Sequence, residues 1–440
     1  MDADASTRRA FHVESLGCAK NQVDSERMIA ALEGAGWHLA SAPEEADVLI
    51  VNTCGFITSA KKESNETGLE LKQRHPGKKV IMVGCLSERY GADLSQQLPE
   101  IDGFLGNRDP SAILDLLEQN AGGRRRLRDG TPPYERSHLL SFPGSAYLKV
   151  AEGCGNRCTY CAIPLIRGDL VSRRPAEIVE EAKGLLGRGI RELVLIAQDL
   201  GSFGRDRDDS FGLTDLLRDL SALPGDFWVR LLYIHPDHFP FDILDVMARD
   251  PRFLPYFDLP FQHAAPRVLR AMGRRADPEA NLALIARIRG KLPGAVIRST
   301  FLLGFPGETE EDFEQLLAFQ SRARPDWLGC FTYSREEDTP AYALTGRVTK
   351  AAAEGRKARI EQRQGPITEE SLDARVGKVL DVLIEERVEG EELSLGRAYL
   401  QAPDVDGLVV VRRSLPPGSR HSVLIEKRNG VDLEGSPHER

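Results

Sequence analysis

Cys154-Gly155-Asn156-Arg157-Cys158-Thr159-Tyr160-Cys161 is the stretch on which the reading of this chain turns. It follows an apolar run, 146–151, that reads as a β-strand, so three cysteines stand in the loop at a strand's carboxyl end. Their spacing is three residues and then two. Cysteine thiolates are the usual protein ligands of iron–sulfur clusters, and three of them leave one iron of a four-iron cluster open to another ligand. Zinc is the competing reading. A structural zinc site wants four ligands, and the loop offers three, with the nearest histidine, His138, lying before the strand.

Outward from this loop, the region 145–334 alternates strands with helices. Strands are predicted at 146–151, 192–197, 228–234, 257–261, 296–303 and 327–333, and helices at 176–186, 243–247, 282–288 and 310–322. Six β/α units predict a barrel or partial barrel, whose chemistry belongs at the carboxyl ends of its strands. Gln198 and Gln262 close two of these strands. Either amide could bind a ribose or carboxylate group, or cap its own loop. The segment 299–309, Ser-Thr-Phe-Leu-Leu-Gly-Phe-Pro-Gly-Glu-Thr, carries Gly304 and Glu308 and by itself could be only a turn. Tyr160 fits a cover over the cysteine loop or ordinary packing. Cys330 sits inside a strand-like run and reads as a packed thiol.

The first hundred residues form a second α/β region. Strand-like runs at 11–16, 47–52 and 79–83 alternate with helical segments such as 22–32, which predicts a parallel sheet. Each run ends in a cysteine: Cys18, Cys54 and Cys85. The carboxyl ends of parallel strands share one edge of the sheet, so the three can converge on one point. Three unrelated buried thiols are the plainer alternative. An arginine-rich stretch, 122–133, with Arg124, Arg125, Arg126 and Arg128, reads as an exposed linker. Residues 349–370 predict a connecting helix. Beyond them, strands at 379–384, 393–399, 408–411 and 422–425 predict a small all-β barrel. The expected divisions are 10–121, 140–368 and 371–440.

The chain has 440 residues, 41% of them apolar, and a net charge of −9. That balance excludes a disordered chain and disfavours a protein that only holds nucleic-acid phosphates. Seven cysteines, an odd number, argue against a disulfide framework. The polar start, 1–9, lacks the apolar core of a signal peptide, and no run is long enough to span a membrane, so a cytoplasmic location is expected.

The cysteine loop after the first strand of a β/α barrel resembles the radical S-adenosylmethionine superfamily. The resemblance implies that S-adenosylmethionine chelates the open iron and yields a 5′-deoxyadenosyl radical, the cofactor carrying the hard chemistry. The 299–309 segment resembles the strand-end stretch near the adenosyl group in that superfamily. With the three N-terminal cysteines and the terminal β-barrel, the chain from 11 to 411 resembles the methylthiotransferases. That implies two 4Fe-4S clusters: one on Cys154, Cys158 and Cys161, and an auxiliary one on Cys18, Cys54 and Cys85 that holds the delivered sulfur. It also implies two molecules of S-adenosylmethionine, one donating methyl and one the radical, and a terminal barrel of the TRAM type.

Three segments (233–238, 262–269 and 396–407) resemble the protein-directed, RimO-type branch more than the tRNA-directed one. That branch modifies the β-carbon of an aspartate in ribosomal protein uS12. Residues 371–410 hold nine acidic and four basic side chains, a net of −5, suited to a basic ribosomal protein rather than to RNA. The plainer alternative is that those charges serve solubility. Ser172-Arg173-Arg174-Pro175 carries one arginine more than the pattern expected there. A tRNA-directed enzyme, or a non-catalytic, metal-stabilised ribosome- or RNA-binding factor, remains the alternative.

Overall fold

The computed structural model of the chain describes residues 9–119, 136–275 and 277–438. The linker expected at 122–133, its four arginines and most of the segment 1–9 lie outside the described residues. The chain forms two compact units. The first comprises residues 1–140, 161–169 and 334–338; the second comprises 141–160, 170–333 and 339–440.

In the first unit, five parallel strands form one sheet: β1 (Ala10–Ser15), β2 (His38–Leu39), β3 (Val48–Thr53), β4 (Lys79–Gly84) and β5 (Gly103–Leu105), ordered β2-β1-β3-β4-β5. The helices are α1 (Ala19–Gly34), α2 (Thr58–Arg74), α3 (Cys85–Gln97) and α4 (Ile113–Gln119). The short segment α5 (Ile163–Arg167) belongs to this unit as well. β3 is buried along its whole length, as a central strand covered on both faces must be. Apolar side chains on its two faces build two cores, one with Phe11, Ile29 and Ile81 and the other with Val51, Met82 and Leu94. The edge strands β2 and β5 are only two and three residues long, too short to show in the sequence pattern.

The second unit carries a six-stranded parallel sheet. Its strands are β6 (Ser145–Lys149), β9 (Glu192–Ile196), β10 (Trp228–Leu231), β11 (Phe253–Asp258), β12 (Val296–Leu303) and β13 (Trp327–Thr332), in consecutive order from β6 to β13. A two-stranded ladder, β7 (Ala151–Glu152) with β8 (Val171–Ser172), flanks the cysteine loop. β10 ends at Leu231, short of the expected 234, and β11 departs further from its prediction. β11 begins at Phe253, where 257–261 was expected. Pro255 sits inside it, offers no N–H to the ladder, and the pairing with β10 shifts register there. A proline in an apolar run hides a strand from pattern reading.

The helix Lys350–Asp373 leads into a closed barrel of five strands: β14 (Val379–Arg387), β15 (Ser394–Arg397), β16 (Val409–Val411), β17 (Arg420–Asn429) and β18 (Asp432–Pro437). The sequence pattern predicts four of them. The fifth, Asp-Leu-Glu-Gly-Ser-Pro, has one large apolar residue, and it closes the ring by pairing with β16 and β17.

Candidate active site

In a sheet ordered 2-1-3-4-5 the chain reverses direction of progress between β1 and β3, and ligands bind at the carboxyl ends there. Cys18 follows β1 and is the N-cap of α1, Cys54 follows β3, and Cys85 follows β4 and opens α3. One buried side chain, Asn21 of α1, ties the three strand ends together. Its Nδ2 donates to Leu16 O at 3.1 Å and Thr53 O at 2.9 Å. Its Oδ1 accepts from the Cys85 thiol at 3.3 Å and lies 3.9 Å from Cys18 Sγ. Asn52 Nδ2 in turn donates to Asn21 O at 2.7 Å. Ser64 pins the Cys54 backbone, its Oγ accepting from Cys54 N at 3.0 Å and donating to Cys54 O at 3.1 Å. Gly55 lets this loop touch the start of α3, since a Cβ there would lie 2.7 Å from Leu86 Cα.

These thiols differ electrostatically. Burial pushes Cys54 up to about 11, and burial also raises Cys85 against the pull of the Arg167 guanidinium. Burial would raise Cys18 too, but that side chain is exposed, and Lys20 and Arg167 hold it below its ordinary value. Cys18 and Cys85 stand at helix N-termini, where the backbone dipoles favour a thiolate. The donor set is soft, sulfur-only and without a carboxylate ligand, and it suits iron–sulfur ligation. Among the described residues no three His, Cys, Asp or Glu side chains form a single-ion site.

In the second unit, Gly153, at φ +68°, turns the chain from β7 into the cysteine loop. Cys154 is half-buried and Cys158 buried; Cys161 begins the segment that belongs to the first unit. Asp199, at the end of β9, organises the loop. Its carboxylate accepts from Asn156 Nδ2 at 2.9 Å, Gly201 N at 2.9 Å, Ser202 Oγ at 2.6 Å and His235 N at 2.9 Å. Thr159 is held by Met272 O at 3.0 Å and Ala271 O at 2.7 Å. His235 Nε2 lies 3.9 Å from Cys158 Sγ. Burial, then Arg274, push its pKa down to about 3, so the ring is neutral at pH 7. Its Nδ1 accepts from Asp237 N at 3.2 Å, which leaves the ring proton on Nε2, facing the sulfur.

The remaining predicted residues divide by what occupies their polar atoms. Gln198 Nε2 donates to Glu152 at 3.0 Å, while its buried Oε1 has no hydrogen-bond partner. That orphaned acceptor, near the end of β9, fits a ligand donor group. Gln262 takes up φ +68°, and its backbone extends the sheet by bonding Thr300 O at 2.7 Å; its side chain is half-buried. Glu308 has no oxygen to spare. One accepts from Gly304 N at 2.6 Å and Phe305 N at 3.1 Å, the other from Arg356 at 2.8 Å. It therefore braces the turn carrying Gly304, at φ +76°, rather than reaching outward. The Tyr160 hydroxyl accepts from Arg274 at 3.0 Å, and its ring packs on a core that includes Ala265, Met272 and Phe305. Cys330 is buried, as predicted for a packed thiol, and burial pushes it up to about 12.

Sequence reasoning missed Asn21, Asp199 and His235. Asn21 lies in the first turn of α1 among polar residues and Asp199 in the polar loop after β9, where a buried polar side chain is unremarkable by sequence. His235 stands in the quoted segment 233–238, but nothing in its spacing marks it as facing Cys158.

Three family models match the chain. Residues 10–106 match the uncharacterized protein family UPF0004, 148–319 the radical SAM superfamily, and 376–437 the TRAM domain. Among solved structures, the radical S-adenosylmethionine methyltransferase TsrM from Kitasatospora setae is 16% identical, with a TM-score of 0.58, over 76% of this chain and 74% of that one. The cobalamin-dependent radical enzyme OxsB is 10% identical, at a TM-score of 0.52, over 81% and 56%. Both support the fold. Fold and site thus define a transferase of the radical SAM superfamily. The ribosomal protein uS12 methylthiotransferase RimO of Treponema denticola is 45% identical over 95% of this chain and 98% of its own. That of Aquifex aeolicus is 43% identical over 96% of each. The chain belongs to the RimO family of uS12 methylthiotransferases.

Proposed function

We propose that this chain methylthiolates the β-carbon of an aspartate in ribosomal protein uS12, using two 4Fe-4S clusters and two molecules of S-adenosylmethionine. The observation that carries the reading is the pair of cysteine sets in a RimO-family chain. One is gathered by Asn21 at the switch point of a parallel sheet, and the other lies in the loop after the first strand of a β/α sheet. Cys18, Cys54 and Cys85 ligate the auxiliary cluster; Cys154, Cys158 and Cys161 ligate the second. When bound, these groups supply the sulfur, the methyl and the radical that removes hydrogen from an unactivated carbon.

The chain's own residues bind and orient. Gln198, with its unpartnered Oε1, and Gln262 meet the polar groups of S-adenosylmethionine. The Gly304 turn, braced by Glu308, lines the adenosyl side. Tyr160 closes the apolar wall beside the cysteine loop. His235, neutral, donates toward Cys158 and steadies its thiolate. The functional divisions follow at 10–121, 140–368 and 371–440.

The acidic character of the last division supports a basic protein partner less broadly than its count implies. Asp406 is buried against Tyr256 and Arg298, and Glu385 bonds Arg397. The densest exposed run is Glu386 at the end of β14 with Glu389, Glu391 and Glu392 in the turn that follows; Asp373, Asp381 and Asp404 are exposed as well.

Mass spectrometry of uS12 and tRNA from a strain lacking the gene tests the proposal. Loss of about 46 Da from one aspartate of uS12, the mass of a methylthio group replacing hydrogen, is expected of this cofactor-borne chemistry. Loss from tRNA adenosines instead would overturn the substrate. Metal analysis of the purified chain should give about eight irons with matching sulfide; zinc without sulfide would overturn the reaction.

A further inference from the structure

Arg167 is a buried arginine that neither cysteine pattern predicts. It ends α5, six residues after Cys161, on the segment 161–169 that the first unit incorporates. Ala162 and Ile166 of that segment pack directly on Cys85. The Arg167 guanidinium is held by two groups of α1: Nη2 donates to Asn21 Oδ1 at 2.8 Å and to Asp24 Oδ2 at 3.0 Å. The same nitrogen lies 3.3 Å from Cys85 Sγ. Asn107 Nδ2 also donates to that sulfur, at 3.4 Å. Cys85 alone of the three N-terminal cysteines thus has two side-chain N–H donors at its sulfur among the bonds of the described residues.

We infer that Arg167 is a positioning residue for the auxiliary cluster, fixing the Cys85 thiolate and raising the cluster's reduction potential. The inference rests on the cluster assignment made above. N–H bonds to a ligating sulfur draw electron density from it, and a fixed positive charge stabilises the more negative, reduced cluster. Asp24 and Asn21 keep the guanidinium in place, so the effect does not depend on a mobile side chain. The arrangement has a second consequence. The residue next to Cys161, Ala162, and the arginine six residues on both bear on Cys85. Within the first unit, the segment that begins at Cys161 is thus packed on Cys85.

The test uses the full chain with Cys154 and Cys158 replaced by alanine, so that only the auxiliary cluster assembles. Its midpoint potential is read by EPR-monitored redox titration, beside iron and sulfide content. In that background Arg167→Met should keep about four irons and titrate at a more negative potential. Arg167→Lys should recover part of the shift, and Asn107→Ala should move the potential the same way by less. Unchanged potentials in Arg167→Met and Asn107→Ala at full iron content would overturn the inference and leave the proposed function standing. If Arg167→Met loses the cluster, Asn107→Ala and Arg167→Lys decide: an unshifted potential in both overturns it. Absence of iron and sulfide from the background protein itself would instead overturn the cluster assignment.

Discussion

At the scale of single residues, buried polar side chains decide more here than the cysteines they serve. Asn21 satisfies two backbone carbonyls from different strand ends and accepts from Cys85 and Arg167. Truncating it leaves those groups unpaired in a dry site, at about 1–3 kcal/mol for each orphaned group. Asn21→Ala should therefore lower unfolding stability by about 2–4 kcal/mol in urea titration and lose auxiliary iron. A change below about 0.5 kcal/mol, the range of ordinary surface positions, would show that Asn21 holds nothing. Glu192 is the counterpart in the second unit, fully buried between Arg397 and Arg230 at 2.6 and 2.7 Å. Burial raises its pKa, but the two guanidinium groups outweigh it and bring the value to about 2, below the ordinary 4.5. A depressed carboxylate contributes stability that is present above pH about 4.5 and is lost as pH falls toward 2. The contribution is on the order of 3 kcal/mol. The melting temperature of the wild type should accordingly fall between pH 5 and 3 more steeply than that of Glu192→Gln, which is less stable throughout. Parallel pH profiles would refute the assignment.

At the scale of elements, a five-residue strap shows how far local reading goes. Residues 334–338 follow β13 yet belong to the first unit. Glu336, almost wholly buried, accepts from Thr58 N at the start of α2 at 2.8 Å, from Lys61 at 2.8 Å and from Arg89 of α3 at 3.2 Å. It thereby clamps the first turns of the two helices that follow Cys54 and Cys85. Glu336→Ala takes the carboxylate from Arg89, Lys61 and the Thr58 N–H, while Arg89 keeps the Gly55 and Glu337 carbonyls and Lys61 keeps Tyr90, so a loss of about 2–3 kcal/mol is expected. Hydrogen exchange should speed up at residues 57–62 and 85–90 and stay unchanged in the strands of the second unit; uniform exchange would show that the strap fixes neither helix. Neither the strap nor Arg167 was legible in the sequence, because both depend on segments that leave one unit for the other. What was legible is what is local and periodic: three strand ends with cysteines, six β/α units, and the connecting helix. Short edge strands, the proline-bearing β11 and the polar β18 carry no such period. The α1 helix shows the limit most clearly. Its sequence reads as amphipathic, but it buries Asn21, Asp24, Ser25 and Glu26, the face that meets the cysteines and Arg136.

At the scale of the whole molecule, the terminal barrel of the second unit meets the six-stranded sheet through buried hydrogen bonds and ion pairs beside a small apolar contact. The segment between β15 and β16 reaches back to the six-stranded sheet. Arg397 bonds Glu192 at 2.6 Å, and Arg230 bonds Tyr399 O at 3.0 Å. Trp327 Nε1 donates to Leu400 O at 2.8 Å, Tyr256 to Asp406 at 2.6 Å, and Tyr147 to Asp404 at 3.2 Å. Trp228, Leu254 and Leu383 add a small apolar contact. Five strands of the sheet, β6, β9, β10, β11 and β13, thus satisfy a buried polar group with a residue of 397–406, and β12 adds Arg298 to Asp406 at 3.4 Å. Removing that segment leaves Glu192 with Arg230 as its one guanidinium and takes the acceptors from Arg230 Nη1 and Nη2 and from the Trp327 N–H, and buried donors left unpaired are costly. Arg397→Ala isolates the effect without deleting a domain. It removes one guanidinium from a carboxylate shared with Arg230, so the sheet and the barrel should lose stability in step. Fluorescence of Trp228 and Trp327, which report the sheet, and hydrogen exchange of β14 and β17, which report the barrel, should then shift by the same amount. The expected loss is about 3–5 kcal/mol. If only the barrel loosened while the tryptophans kept their wild-type midpoint, the barrel would be an independent appendage. If both move together, the last sixty residues are part of the framework that sets the shape of the catalytic sheet.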